Sequence, residues 1–390
     1  MSMEPKHLTL LTPGPIEVDD DVLLAMQHGA ESHTGPDFGT VFGETLRMLR
    51  QMLQTRDPAS QPFIMSGSGS LGFDQVAANI LEPGDAALVL NVGYWGDAFI
   101  ECMQAYGIVA DGIKAPLGGQ PTLVEIESAL TARDYKAITI THTDTATGVL
   151  SDVPAIARLV HKVSSGTLVI VDGVCSIGCE EIMFDDWQLD IVLGASQKAL
   201  GAPAGLSIVM ASGRAIEVFR ERKSPPSAYF CSWRNWIPVM RNYELAEQPP
   251  LYFATPPCQL IRALHVSLSK ILRQPLPDRL EQHKKVSCVV KEAVAEMGLE
   301  QIATRQEDQA HSMTAFYLPS GLRSENILPL LVGKGVMLAR GPQREIAGQY
   351  IRFAHMGVSM TDPERSDIVN GIKALREVLT DISDSTRNGT

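Results

Sequence analysis

Short runs of aliphatic and β-branched residues alternate with amphipathic segments through the first two thirds of the chain. The runs with the length of strands are "PFIMS", "AALVLNVG", "GIVADGI", "AITITHT", "TLVIVDG", "IVLGAS" and "LSIVMAS". Between them, segments such as "GFDQVAANIL" and "WGDAFIECMQAYG" have apolar residues at helical spacing. Because this alternation is typical of βαβ units, we predict an α/β fold with a mostly parallel seven-stranded sheet between layers of helices.

The pattern changes after a long amphipathic segment that begins near Pro257. This segment, "CQLIRALHVSLSKIL", ends at the proline-containing "RQPLPDR". Beyond it, segments such as "MTAFYLP" and "YIRFAHMG" indicate a smaller α+β unit. We therefore predict an N-terminal arm over residues 1–18, a large domain over residues 19–265 and a small C-terminal domain over residues 266–390.

A glycine loop follows the first predicted strand of the sheet. Its sequence "GSGSLG" fits the dinucleotide-binding pattern G-x-G-x-x-G, but that pattern also needs an acidic residue at the end of the next strand. The next strand ends in Asn91, Val92 and Gly93, so a dinucleotide is disfavoured. The loop can still bind a smaller phosphate through Ser68, Ser70 and the N-terminus of a helix starting near Leu71. A plain helix-capping turn is the alternative.

Two isolated charges interrupt otherwise uncharged segments. Lys198 is the only charged residue between Asp190 and Arg214, and Asp172 is the only one between Lys162 and Glu180. A buried ammonium is costly unless it is paired or used chemically, and a carboxylate at the end of a parallel strand faces the ligand crevice. A surface turn for Lys198 and a helix cap for Asp172 are the alternatives. Together with a phosphate loop, an amine and an anion fit pyridoxal 5′-phosphate.

Composition and charge limit the possible ligands. The formal net charge is -12, and the chain has no long run of Lys or Arg, which argues against nucleic acid or an anionic membrane as partner. The six cysteines lack paired C-x-x-C spacing, so we expect free thiols and no metal site. The first residues resemble no targeting peptide. We expect a cytoplasmic protein, with mitochondria or peroxisomes as the alternatives.

Several segments in order resemble the class V, fold-type I aminotransferases. They are "LTPGPI", "GSGS", "THTDTATGVL", "VDGVCSIG", "ASQKALGAPAGLS" and "YFATPP", and the likeness extends from about Leu11 to Gly357. Within this family the likeness is to the alanine:glyoxylate branch, especially its fungal members. The resemblance implies pyridoxal 5′-phosphate as cofactor and transfer of the amino group of L-alanine to glyoxylate, which gives pyruvate and glycine.

The resemblance also implies roles for individual residues. Lys198 matches the lysine that binds the cofactor covalently, and Asp172 matches the partner of the ring nitrogen; both are the implied catalytic residues. The other implied cofactor contacts are Ser68, Gly69, Ser70, Trp95, Thr145, Val174 and Gln197. Arg352 matches the arginine that binds the substrate carboxylate, with a structural salt bridge as the alternative, and Gly14 lies in a segment that lines the substrate space. Tyr252 and Thr255 match residues that reach the neighbouring subunit's site, which implies a homodimer.

Other activities compete with this interpretation. A serine:pyruvate or serine:glyoxylate aminotransferase differs by one hydroxyl in a small pocket, and the sequence does not show the shape of that pocket. A cysteine desulfurase is disfavoured, because that family places a histidine where Trp95 stands and needs a nucleophilic cysteine. The missing ribose-binding acid disfavours a nicotinamide oxidoreductase. A non-catalytic binding protein is disfavoured by the presence of Lys198, Asp172 and Arg352 together.

Overall fold

The structure is a computed structural model that describes residues 7–245 and 251–387. The outer ends of the predicted arm and of the predicted C-terminal domain lie outside these residues. The described strands are β1 (Thr9–Leu10), β2 (Gln61–Ser66), β3 (Ala86–Asn91), β4 (Val109–Lys114), β5 (Ala137–Thr141), β6 (Thr143–Asp144), β7 (Val149–Leu150), β8 (Leu168–Asp172), β9 (Ile191–Ala195), β10 (Leu206–Ala211), β11 (Met313–Tyr317), β12 (Val336–Met337), β13 (Ala339–Arg340) and β14 (Tyr350–Ala354). The described helices are α1 (Asp20–Ala25), α2 (Pro36–Met52), α3 (Leu71–Asn79), α4 (Tyr94–Ala105), α5 (Leu123–Ala132), α6 (Val153–Val163), α7 (Gly213–Arg220), α8 (Trp233–Leu245), α9 (Cys258–Ile271), α10 (Leu276–Glu296), α11 (Ser324–Gly333), α12 (Val358–Thr361) and α13 (Asp367–Arg387).

A seven-stranded sheet forms the centre of the larger part of the chain. Its strand order is β2-β10-β9-β8-β5-β3-β4, and β10 alone runs antiparallel to its two neighbours among these strands. Each of the seven runs predicted from the sequence supplies one strand, so the predicted mostly parallel α/β sheet is confirmed. Strands β5, β8, β9 and β10 are buried along their whole length, as expected for a parallel sheet covered on both faces.

The parallel strands bring the site residues to one edge of the sheet. Asp172 is the last residue of β8, where it pairs with Thr141 of β5 and Leu193 of β9. Lys198 follows β9 by three residues, in the turn that leads to β10. Because parallel strands end at the same edge, residues that lie far apart in sequence meet there.

A second core lies in the C-terminal part of the chain. Strands β11, β14 and β13 form a three-stranded antiparallel sheet that packs with α10, α11 and α13. The predicted domain boundary at residue 265 falls inside α9, whose buried residues up to Ile271 belong to the core around the large sheet. The division of the chain into domains stays a prediction.

Two further properties concern only the described part of the chain. No helix there is both long and apolar enough to cross a membrane. No group of three or more His, Cys, Asp or Glu side chains there could hold a metal ion.

Candidate active site

Lys198 and Asp172 are buried beside each other at the carboxyl edge of the large sheet. Only 8% of Lys198 and 5% of Asp172 is exposed. The Nζ of Lys198 donates a hydrogen bond to the carbonyl of Pro13, which brings the N-terminal segment over the lysine. Asp172 Oδ1 accepts from the N–H of Val174 at 3.1 Å. The sequence expectation that these isolated charges lie in a ligand crevice, and not on a surface turn, agrees with this placement.

The electrostatic environment of Asp172 favours its neutral form. Burial raises the pKa of Asp172 to about 6, because a carboxylate loses its hydration there. The hydrogen bond from Val174 and the charge of Lys198 lower this pKa, whereas the carboxylate of Asp144 raises it. A cationic ligand group beside Asp172 would therefore gain strong stabilisation from the ionised carboxylate.

The loop between β2 and α3 presents unpaired N–H groups. The carbonyls of Ser68, Gly69 and Ser70 accept from Leu71, Gly72 and Phe73, which begins α3. Within the described residues, nothing accepts from the N–H groups of the three loop residues themselves. Gly69 also packs against Val174, because a Cβ there would lie 3.0 Å from a methyl group of Val174. The loop has the form of an anion-binding helix N-terminus.

Trp95 and Thr145 are linked across the cavity. Trp95 lies in the first turn of α4, directly after β3, and its Nε1 donates to Thr145 Oγ1 at 2.8 Å. This bond fixes the indole ring at the edge where Asp172 and Lys198 lie. The ring therefore provides a flat, half-buried wall for a planar ligand.

Asp144 holds the turn that carries Thr145. Its Oδ1 accepts from the N–H groups of Ala146 and Thr147 at 2.6 and 3.0 Å, while its Oδ2 is buried and has no partner within the described residues. Burial raises the pKa of Asp144. The position of Thr145, and through it that of Trp95, thus depends on a buried carboxylate.

Arg352 lies next to this turn with a defined orientation. Its Nε and Nη2 donate to the carbonyl of Arg340 at 3.0 and 2.8 Å, and its Nη1 donates to the carbonyl of Thr145 at 2.8 Å. Burial lowers the pKa of Arg352, and the ion pairs found among the described residues do not include it. The salt-bridge alternative is therefore not realised there. One N–H bond of Nη1 and one of Nη2 are not used in these contacts and remain for a carboxylate.

A cavity of about 250 Å³ lies among these groups, although Asp144 and Arg352 are not among its lining residues. Of the residues expected from the sequence, the structure places around it Gly14, Ser68, Gly69, Ser70, Trp95, Thr145, Asp172, Val174, Gln197 and Lys198. Sequence reasoning missed Phe73, Thr143 and Cys175, which also line it. Thr143 and Cys175 lie in the segments "THTDTATGVL" and "VDGVCSIG" that carry the family resemblance, so neighbouring residues could have indicated them. Phe73 lies outside these segments.

Three of the expected residues do not line the cavity: Arg352, which only contacts the main chain of the lining residue Thr145, and Tyr252 and Thr255. Tyr252 and Thr255 do not line this cavity, and Tyr252 is 63% exposed. The ring of Tyr252 contacts His33 with a centroid distance of 5.0 Å. Tyr252 and Thr255 are both exposed, and their role toward a neighbouring subunit stays a prediction.

The cavity offers groups for an aldehyde, a ring nitrogen and a phosphate. Lys198 supplies an amine, Asp172 an acceptor and the β2–α3 loop its N–H groups. Gln197 Oε1 and Thr143 Oγ1 are buried without a partner in the described part of the chain, so polar atoms are left for a ligand. The residues present fit pyridoxal 5′-phosphate.

The parallel sheet and the lysine–aspartate cavity at its edge define the class of fold-type I transferases. The family model for the aminotransferase class-V proteins matches residues 23–357. The chain therefore belongs to the class V aminotransferases, and it is a transaminase.

Individual proteins share this similarity over most of their length. Alanine–glyoxylate aminotransferase 1 of Saccharomyces cerevisiae is 38% identical, with 90% of this chain and 92% of the relative covered. Serine–glyoxylate aminotransferase of Arabidopsis thaliana is 27% identical, with 89% and 85% covered. The crystal structure of alanine–glyoxylate aminotransferase from Nostoc sp. superimposes with a TM-score of 0.88 at 26% identity, covering 97% of each chain.

Proposed function

We propose that this protein transfers the amino group of L-alanine to glyoxylate with pyridoxal 5′-phosphate bound in the cavity at Lys198. The observation that carries this proposal is the buried pair of Lys198 and Asp172 beside the open N-terminus of α3. The 38% identity to the yeast alanine–glyoxylate enzyme supports the choice of substrates.

The residues around the cavity can hold each part of the cofactor. Lys198 would bind it covalently, Asp172 would face the ring nitrogen, and Ser68, Gly69 and Ser70 would hold the phosphate together with Gln197. Trp95 would cover one face of the ring, with Val174 on the other side and Thr145 beside it. Once bound, the cofactor supplies an electron sink that makes the substrate Cα proton acidic.

The proton at Cα needs a base, and Lys198 provides it. The cavity-lining residues include no other amine or imidazole in the described part of the chain. Lys198 Nζ would take the proton from the Cα of the amino donor as a base. In the second half of the reaction it would act as an acid and give a proton to the Cα of the new amino acid. The ionised form of Asp172 stabilises positive charge on the ring nitrogen and so lowers the barrier to this transfer.

Arg352 is the group for the carboxylate that all substrates share. Its inner edge is held by the carbonyl of Arg340, so the two outer N–H bonds would grip the carboxylate end-on. This fixes the substrate Cα with respect to Lys198.

The cavity favours substrates with small, neutral side chains. Within the described residues, Lys198 is the only cationic side chain that lines it, so a distal carboxylate such as that of aspartate would be buried there without a second cation. Alanine and serine both meet this requirement. Serine is the second candidate donor, because the hydroxyls of Thr143 and Thr145 lie in the same lining.

The active form is proposed to be a homodimer with shared sites. Exposed apolar side chains in the same part of the chain as Tyr252 support this proposal: Tyr229, Phe230, Leu245 and Leu251 are each at least 40% exposed. Such a concentration is typical of a surface that a partner covers. Tyr252 and Thr255 would complete the phosphate site of the other subunit.

We also propose a cytoplasmic location. All six cysteines are free thiols, as proteins of reducing compartments keep them. A fluorescent fusion of the full chain tests this, and accumulation in mitochondria or peroxisomes would contradict it.

Reduction with borohydride tests cofactor and lysine together. The protein, loaded with pyridoxal 5′-phosphate, is reduced and digested, and the peptide that carries the added mass is identified. We expect the modification on Lys198, and none after Lys198→Ala. A label on another lysine, or no label, would contradict the site.

Initial rates with L-alanine and with L-serine decide the amino donor.

A further inference from the structure

A second cavity lies on the far side of the Lys198 turn from the proposed active site. It has a volume of about 450 Å³ and lies where the N-terminal segment, α9, α10 and α12 meet. Its charged lining residues are Glu17, Asp19, Asp362, Lys270, Arg273 and Arg279. Acids and bases are equal in number there, so the partners of each charge decide what the cavity can bind.

The acids of this cavity already have donors. Glu17 accepts from the N–H of Leu10 at 2.7 Å and from Arg365 at 3.1 Å. Asp19 accepts from Lys270 at 2.7 Å. Asp362 accepts from the N–H of Glu364 at 2.9 Å. Glu17 and Asp19 are thus paired with the cations Arg365 and Lys270, whereas Asp362 has only a main-chain donor and no ion pair within the described residues.

Arg279 carries a buried charge without a carboxylate. Only 4% of this residue is exposed. Its Nε and Nη2 donate to the carbonyls of Gly178 and Ala199 at 2.8 and 3.1 Å, and the ion pairs of the described residues do not include it. Burial lowers the pKa of Arg279 to about 10, which reflects the cost of this charge. The Nη1 hydrogens are not used in these two bonds.

Arg273 stands at the exposed rim of the same cavity. It forms no ion pair within the described residues, although it assists Lys270 in lowering the pKa of Asp21. Two guanidinium groups that form no ion pair within the described residues therefore line one cavity in a protein whose net charge is -12. Unpaired cations at a concave surface attract a small anion.

We propose that this second cavity binds a small oxyanion, a phosphate or a carboxylate, between Arg279 and Arg273. The anion would compensate the charge of the buried Arg279. This binding site goes beyond the proposed transamination and does not depend on it.

The proposed anion would affect the active site through Arg279. Gly178 and Ala199, whose carbonyls Arg279 holds, lie in the segments that follow β8 and β9. The same segments carry Asp172 at one end and Lys198 immediately before Ala199. An anion that draws the guanidinium toward itself changes its hold on both carbonyls. Occupancy should therefore change turnover as well as stability.

Calorimetric titration of the full chain, saturated with pyridoxal 5′-phosphate, tests the proposal. One arm uses inorganic phosphate and the other malonate, both at constant ionic strength set with sodium chloride. The variants are Arg273→Gln, which removes an exposed cation, and Arg279→Lys and Arg279→Met, which alter the buried one. Arg158→Gln is the matched control, since Arg158 is an exposed arginine on α6 away from both cavities.

We expect saturable binding of at least one anion, weakened about tenfold by Arg273→Gln and more by Arg279→Met, because each loses a charge-assisted hydrogen bond. Arg158→Gln should bind like the wild type, and the preferred arm distinguishes a phosphate from a carboxylate ligand. No saturable binding, or equal binding by Arg273→Gln and Arg158→Gln, would overturn the proposal. If Arg279→Met does not fold, Arg273→Gln and Arg279→Lys decide. The variants locate the anion even if Lys198 is found not to bind the cofactor.

Discussion

At the scale of single residues, the proposed active site depends on charges that burial makes costly. Lys198 and Asp172 could be predicted because each is the only charge in a long uncharged segment, and both are buried at the sheet edge. Phe73 could not, because an aromatic residue in the first turn of a helix has many ordinary uses. The end-on presentation of Arg352 depends on the carbonyl of Arg340, a contact that sequence patterns do not encode.

The raised pKa of Asp172 predicts a pH-dependent stability of the cofactor-free protein. Burial raises the pKa of this carboxyl to about 6 in the folded protein, against 3.8 in its ordinary environment. The stabilisation of the folded state by the protonated carboxyl is therefore fully present below about pH 4 and is lost as the pH rises through 6. We expect the free energy of unfolding of the wild type to fall by about 2–3 kcal/mol between these two pH values. Asp172→Asn should not show this fall. Urea unfolding of both proteins at several pH values measures this, and parallel curves would refute it.

Arg352→Gln should impair the use of every substrate. Loss of a bidentate, charge-assisted contact should lower kcat/KM for both amino and oxo acid by about 100-fold. Arg340→Gln is the matched control, because Arg340 contacts Arg352 through its main-chain carbonyl and its side chain is exposed. Steady-state kinetics with L-alanine and glyoxylate measure both variants. Equal losses in the two would argue against the carboxylate role.

At the scale of elements, the periodic patterns predicted the strands of the large sheet well. All seven central strands were predicted, because strands buried on both faces read as short apolar runs. The helix α9 was recognised, but sequence alone does not show which core its apolar face contacts. The short hairpin of β6 and β7, which carries Thr143 and Asp144, has two-residue strands that no periodicity could reveal.

The segment at Gly14 predicts the effect of a single methyl group. Gly14 has φ +102, and a Cβ there would overlap with Cδ and Nζ of Lys198. Gly14→Ala should therefore displace the lysine or the segment, with a large loss of turnover and a loss of about 1–3 kcal/mol in stability. Gly29→Ala is the control, because nothing lies within 4 Å of a Cβ at Gly29. Turnover and thermal unfolding measure both, and normal turnover of Gly14→Ala would contradict the close approach.

At the scale of the whole molecule, the proposed homodimer with shared sites predicts that two inactive variants complement each other. Lys198→Ala lacks the amine, and Tyr252→Ala would lack the contact given to the other subunit. A mixed dimer would contain one site with both native residues. Co-expression should therefore restore about one quarter of the wild-type activity for random pairing. Activity assays of the co-expressed and separate variants measure this. Absence of recovery in a demonstrated mixed dimer would show that the sites are not shared.

Transfer of labelled nitrogen tests the central claim most directly. The purified protein, loaded with pyridoxal 5′-phosphate, is given [15N]-L-alanine and glyoxylate, and the products are followed by NMR. We expect [15N]-glycine and pyruvate in equal amounts, and no transfer by Lys198→Ala. Absence of labelled glycine from the wild-type protein would contradict the proposed function.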